Sequence, residues 1–312
     1  MTIKGLSRIA AVAAALAAVA VAPAPAAASG AHVRIWTIHY RAHLGERRPA
    51  FVVLPSWYGP KHDPPLPLVI SPHGRGVGAA ANARIWANLP AEGRFAVVNP
   101  GGQGRRLALY SWGYRGQIDD LARMPAILHE TLPWLHIERR RIYGVGGSMG
   151  GQEILLLIAK HPHLLAGAVS FDAPTNMALR YADFPLITDG RNDQRLALDE
   201  IGGTPRLDPH AYAARSPLDF AAAIAHSGVP LQLWWSVSDL IVRDQAANSG
   251  ALYERIKAID PSAPVTKVIG FWMHSEEMKA DSKLAVALQK LGLLPASAVP
   301  PTTQRGQAPP VL

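Results

Sequence analysis

The sequence predicts an α/β fold: a mostly parallel central sheet with helices on both faces and a short insertion after the sixth strand. Three observations carry this. From Leu66 onward, short apolar runs alternate with segments of helical periodicity, which implies parallel strands joined by helical crossovers. The residues able to do chemistry fall just beyond the ends of those runs, where open α/β sheets gather their sites. The chain has 312 residues, 49% of them hydrophobic and 17% charged, enough for one large core.

Each element has its own warrant. Lys4 and Arg8 flank the start of an apolar run, Ile9 to Ala22, too short to span a bilayer comfortably. Ala24-Pro25-Ala26 and Ala26-Ala27-Ala28 offer small-residue cleavage sites. Residues 1–28 therefore read as a signal peptide, and the expected protein is secreted, extracellular and without a stable membrane anchor after cleavage. There is no cysteine, hence no disulfide, thiolate metal site or Cys nucleophile. The catalytic domain is expected over 29–292.

Val33 to His39 alternates and Phe51 to Leu54 follows, an antiparallel opening pair. Tyr58 to Pro65 is a Pro- and Gly-rich loop. Leu66 to Ser71 reads as a buried strand running into Pro72-His73-Gly74-Arg75-Gly76. A helix over 79–89 leads to the strand Phe95 to Val98. Residues 103–116 form a loop carrying Tyr110, Trp112 and Tyr114, and 118–135 an amphipathic helix that Pro125 threatens to kink. Ile142, Tyr143 and Val145 mark the fifth strand and Gly167 to Phe171 the sixth. The irregular insertion occupies 172–230. Leu231 to Ser236 and Val265 to Phe271 are the last strands, with helices over 243–259 and 276–291. The Pro-rich segment 293–312 lacks apolar periodicity and reads as a disordered tail.

The chain is organised around Gly146-Gly147-Ser148-Met149-Gly150. It lies between the fifth strand and Ile154 to Ile158, a helix apolar on every side and hence central. A serine on a tight strand-to-helix turn is held in a strained conformation that pushes its hydroxyl outward. Glycines are needed at 146 and 150, where a Cβ would collide as strand and helix pass. Two further residues, Asp239 and His274, follow strand ends. Serine needs a base, which His274 would supply, and Asp239 would hold the other ring nitrogen. Asp172, after the sixth strand, is the rival acid; Asp244 falls inside a predicted helix. His161 and His163 read as helix-capping residues, and His210 and His226 lie in the insertion. The Met149 N–H and either the Arg75 or the Gly74 N–H are the candidate oxyanion donors. Trp112, Tyr114 and Trp272 are candidate substrate-binding aromatics.

Net charge is +8, from 31 basic and 23 acidic residues. No basic stripe with interleaved aromatics accompanies it, so no nucleic-acid partner is expected. No metal cluster or phosphate loop is evident, and no cofactor is expected. Gly144 and Gly146 begin a dinucleotide-type glycine pattern, but Met149 stands where its third glycine belongs.

The order Ser148, Asp239, His274 and four motifs together resemble the α/β-hydrolases. The motifs are Ser71-Pro-His-Gly74, Arg141-Ile-Tyr-Gly-Val-Gly-Gly-Ser148-Met-Gly-Gly151, Tyr212-Ala-Ala-Arg-Ser-Pro217 and Ser238-Asp239-Leu-Ile-Val242. Within that superfamily the chain is similar to prolyl-oligopeptidase-like catalytic domains and to secreted feruloyl-esterase and polyhydroxybutyrate-depolymerase-like enzymes. The resemblance implies Ser148 as nucleophile, Asp239 as acid and His274 as base. Only about twenty residues separate the expected cleavage site from the Phe51 strand, too few for the β-propeller of full-length prolyl oligopeptidases. Gly270 also stands four residues before His274, unlike the family's closely Gly-flanked histidine. The expectation is a serine hydrolase acting on a small-molecule or polymer ester. A serine peptidase acting on peptides is the alternative, and a catalytically silent binding fold the second. The Ser-Met-Gly-Gly piece also resembles esterase-D-type and mycolyltransferase-type enzymes.

Overall fold

The strands in the computed structural model, which describes residues 32–279 and 283–298, are β1 (Val33–Arg41), β2 (Arg47–Pro55), β3 (Leu66–Ile70), β4 (Ala96–Pro100), β5 (Ile137–Gly147), β6 (Gly167–Phe171), β7 (Leu231–Ser236) and β8 (Val265–Gly270). They form one sheet in the order β1-β2-β4-β3-β5-β6-β7-β8. The β1–β2 and β2–β4 pairs are antiparallel, and every pair from β4 through β8 is parallel. The signal peptide expected over 1–28, and residues 299–312 of the expected tail, lie outside the described residues.

The helices are α1 (Ala79–Arg84), α2 (Leu89–Gly93), α3 (Arg115–Thr131), α4 (Met149–Lys160), α5 (Met177–Asp183), α6 (Gly190–Ile201), α7 (Pro209–Ala213), α8 (Ala221–Ala225), α9 (Ala251–Ile259) and α10 (Leu284–Lys290). Strands β3, β4, β6 and β7 are buried along their whole length because both faces of the sheet are covered. On one face, Ile118 and Leu121 of α3, Ile154 to Ile158 of α4, Ile224 of α8 and Ile256 of α9 pack into one cluster. On the other, Ala83 of α1, Trp86, Leu89 and Leu288 of α10 pack into a second. Leu293 and Leu294, at the start of the expected tail, are buried in that second cluster.

Three helical expectations change. The helix expected over 79–89 is two, α1 and α2, separated by a turn in which Ala87 takes a left-handed φ of 41°. Pro90 sits in the first turn of α2, where its missing N–H costs nothing. The helix expected over 243–259 begins only after a π-turn at Ala246–Gly250, because Asp244 is left-handed (φ 50°) and cannot continue a right-handed helix. The helix expected over 276–291 is a 3-10 turn, Glu276–Met278, and then α10. Helix α3, by contrast, runs unbroken through Pro125.

Strand β5 and helix α4 pass each other closely. A Cβ on Gly146 would lie 2.5 Å from the Gly150 backbone, and one on Gly150 would lie 2.2 Å from the Pro72 carbonyl oxygen. Gly150→Ala should therefore destabilise the protein by about 1–3 kcal/mol or more, the cost of overpacking against a rigid backbone. Alanine's better helix propensity, worth only about 1 kcal/mol, does not offset it. Gly78→Ala, where no atom lies within 4 Å of the new Cβ, should stay within about 0.5 kcal/mol. Urea unfolding midpoints of the two variants check this; equal midpoints would contradict it.

Candidate active site

Ser148 sits between the last residue of β5 and the first of α4 with φ 55° and ψ −127°, a conformation that costs a non-glycine residue about 1–3 kcal/mol. Its own N–H is tied to the Phe171 carbonyl at 2.8 Å, so the turn is anchored to β6 and its side chain is turned out of the sheet. The N–H groups of the first turn of α4 have no helical acceptor, and the Met149 N–H, next to the serine, is the first of them. The positive end of the helix dipole lies at the same place.

Asp239 and His274 are carried by the loops after β7 and β8. His274 Nδ1 lies 2.7 Å from Asp239 Oδ2. Asp239 is itself held fast: Oδ1 accepts from the Ile241 and Val242 N–H groups at 2.8 and 3.0 Å, and Oδ2 from the Gln245 side chain at 3.1 Å. Burial alone would raise its carboxyl, but the His274 ring, Gln245 and the Ile241 N–H outweigh it and hold Asp239 below the usual carboxylate range. The hydrogen bond to Asp239 favours the tautomer of the neutral ring that carries its proton on Nδ1 and turns Nε2 into the acceptor. Among the described residues, Ser148 Oγ makes no hydrogen bond to His274. Such contacts are often long in unliganded sites and close on substrate.

Asp172 is not bonded to His274. Its Oδ1 accepts from the Ser236 N–H and its Oδ2 from the Ser275 N–H, both at 2.8 Å, and from the Trp272 indole at 3.3 Å. Asp172, Asp239 and His274 bring one ligand-type atom each within 4.8 Å of one another, yet each is already engaged in these bonds. The groups fit a hydrogen-bond network better than a metal.

The loop after β3 forms the opposite wall. His73, only 1% exposed, donates from Nδ1 to the Gly74 carbonyl at 2.8 Å and accepts at Nε2 from the Gly102 N–H at 2.8 Å. Burial, opposed by the bond to Gly74, lowers its pKa and keeps the ring neutral. The Gly74 carbonyl is thus turned toward His73. In a trans peptide the N–H of the next residue, Arg75, must point the other way. Among the described residues the Arg75 N–H has no protein acceptor. The Arg75 side chain is drawn aside by an ion pair with Asp193 of α6.

Gly74, Arg75, Ser148 and His274 line one cleft of about 400 Å³. Val77, Ile85, Ile241 and Met278 give it an apolar wall, and Lys279 stands among its lining residues. Of the three candidate aromatics, none lines this cleft. Trp112 is 1% exposed, packed in a cluster with Met149 and Phe184. Tyr114 precedes α3 and lies against His43 and Arg215. Trp272 packs on Trp234 and bonds to Asp172. It also explains Gly270, because a Cβ there would sit 1.8 Å from the Trp272 ring. Sequence reasoning missed Gln245, His73, Asp193 and Ser275. Of these only His73 had a signal, its place inside the Ser71-Pro-His-Gly74 motif. His161, His163, His210 and His226 do not line the cleft.

No family model and no curated protein matches the sequence. Solved structures do match. The chain superimposes on the acylaminoacyl peptidase of Pyrococcus horikoshii with a TM-score of 0.60 at 16% identity, covering 80% of this chain and 39% of that one. For a puromycin-hydrolyzing peptidase of Mycobacterium tuberculosis the TM-score is 0.62 at 18% identity, covering 83% of this chain and 40% of that one. For the S-formylglutathione hydrolase FrmB of Staphylococcus aureus it is 0.57 at 17% identity, covering 78% of this chain and 92% of that one. The chain therefore spans about two fifths of the length of the two peptidases and most of that hydrolase. With its strand order and its serine turn, these likenesses establish that the chain has the α/β-hydrolase fold.

Proposed function

We propose that this chain is a serine hydrolase that cleaves carboxylic esters through an acyl-enzyme. One observation carries the reading: Ser148, on its strained turn, shares a cleft with a His274 whose Nδ1 lies 2.7 Å from Asp239. In this reading His274 Nε2 takes the Ser148 proton as Oγ attacks the ester carbonyl. Asp239 stabilises the imidazolium that forms. The tetrahedral oxyanion is met by the Met149 and Arg75 N–H groups, with the Gly74 N–H as the alternative second donor. The imidazolium then gives its proton to the leaving alkoxide. Water, deprotonated by His274, hydrolyses the Ser148 ester and releases the acid.

Esters are favoured over peptides by the lining of the cleft. Among the described residues, those lining the cleft include no carboxylate that could hold a peptide's amino terminus, and Val77, Ile85, Ile241 and Met278 suit an acyl chain. Peptidases among the structural neighbours keep the peptide reading as the second one. Export is supported by the leader pattern in residues 1–28.

Ser148→Ala should abolish ester turnover, a fall of about 10⁶-fold, in a protein whose circular dichroism is unchanged. Retained turnover would remove Ser148 from the reaction. Asp239→Asn should lower kcat by about 10⁴-fold through loss of the correct tautomer, with KM little changed. His73→Phe, which frees the Gly74–Arg75 peptide, should lower kcat by up to about 10²–10³-fold, the worth of one oxyanion donor. Steady-state kinetics on a p-nitrophenyl ester series beside a Pro-anilide reads all three. Preferential anilide cleavage would replace the esterase reading with the peptidase one.

A further inference from the structure

Behind His274 lies a pair of carboxyl groups that the acyl-enzyme chemistry does not use. Asp172 follows β6 in a left-handed conformation, φ 43°, and is fully buried. Its oxygens serve two loops. Oδ1 holds the Ser236 N–H, at the end of the strand that leads to Asp239. Oδ2 holds the Ser275 N–H and the Trp272 indole, one on each side of His274. Ser275 is also left-handed, at φ 54°. Two strained residues joined by one hydrogen bond therefore fix the backbone next to the histidine.

Glu277, in the 3-10 turn after His274, is fully buried as well. Among the described residues its carboxyl oxygens have no hydrogen-bond partner, and the charged groups facing them are Asp172 and Asp239. Asp172 in turn faces Glu277, Asp239 and the His274 ring. Two carboxylates that face each other out of water cannot both ionise at little cost, so the buried pair retains one proton. Burial first, and then the Asp172 charge, hold Glu277 neutral well above the usual carboxyl range. Burial raises the Asp172 carboxyl too, but the Ser275 N–H opposes this, so Glu277 is the one of the two that keeps the proton.

We propose that Asp172 is the positioning residue for His274, and that it acts as one only while Glu277 holds a proton. Loss of that proton places two charges side by side behind the histidine, loosens the 272–275 loop and ends activity on the alkaline side. The proposal rests on the serine-hydrolase reading for its consequence in rate, though not for the proton itself. Stability carries the same proton with a definite sign. Glu277 binds a proton in the folded chain that it releases in the unfolded one above its ordinary pKa of about 4.3. Stability from this pair is therefore fully present at low pH and is lost progressively as pH rises into the alkaline range.

The test compares wild type, Glu277→Gln and Asp172→Asn as full chains from pH 5 to pH 11. The readouts are the rate of fluorophosphonate labelling of Ser148, the downfield imidazole N–H proton resonance of His274, and the melting temperature. Glutamine is neutral, close in shape to the protonated carboxyl, and does not titrate. Glu277→Gln should label within about threefold of wild type at pH 7 but lack its alkaline fall, and should melt progressively higher relative to wild type as pH rises from 5 to 9. Asp172→Asn should lower the limiting labelling rate about tenfold or more with unchanged reagent affinity, and should broaden or lose the His274 resonance. The proposal is overturned if Glu277→Gln keeps the wild-type alkaline fall, or if Asp172→Asn labels at the wild-type rate. Should Asp172→Asn not fold, the alkaline limb of Glu277→Gln decides. If wild-type Ser148 takes no label, the hydrolase reading fails instead. The His274 resonance then decides the positioning role: persistence through alkaline pH in wild type overturns it, and loss there with retention in Glu277→Gln supports it.

Discussion

The close passage of β5 over the start of α4 is the constraint on which the rest depends. Gly146 and Gly150 allow strand and helix to approach where no Cβ fits, and the residue between them must turn through a left-handed conformation to make the join. That residue is Ser148, and the strain is offset by the apolar run Ile154 to Ile158 of α4, buried in the core. The same approach puts the Pro72-His73-Gly74 loop directly over the helix start, since the Pro72 carbonyl is what a Cβ at Gly150 would strike. One packing event thus places the nucleophile candidate, the free N–H groups of α4 and the loop after β3 in one small space.

Around that space the protein spends buried charge on position. Asp239 is fixed by two backbone N–H groups and Gln245, so its bond to His274 leaves the ring little freedom. The insertion between β6 and β7 contributes from the side. Arg180 of α5 donates to the Ile241 carbonyl at 2.6 Å, and Asp193 of α6 pairs with Arg75. Glu200 of α6 accepts from the Arg106 and Leu107 N–H groups at 2.8 and 3.0 Å, and so ties the insertion to the loop after β4. A low dielectric makes each of these pairs costly to leave unmade, which keeps the loops in register with the sheet.

Elements whose cause is local were legible in advance. The alternating β1, the wholly buried β3, β4, β6 and β7, the apolar α4 and the glycine-flanked Ser148 all follow from short-range pattern and sterics. Failures came where the cause is local but quiet, or distant. Residues 243–259 and 276–291 have helical periodicity, yet a left-handed Asp244 and the 3-10 turn holding Glu277 interrupt it. Trp112, nominated as a binding aromatic, has a sequence context indistinguishable from that of a core residue, and it is packed on Met149 and Phe184.

The sequence by itself determined the fold class, the strand-to-helix turn at Ser148 and the short list of residues at strand ends, because periodicity and steric necessity act over a few residues. Only the tertiary structure decided between Asp239 and Asp172 as partner of His274, since both follow strands and differ only in where the chain returns. Asp172 meets Ser275 across 103 positions, and Arg75 meets Asp193 across the insertion. Pairings of that range are set by which strands lie side by side and how loops cross their ends, and no spacing along the chain encodes them.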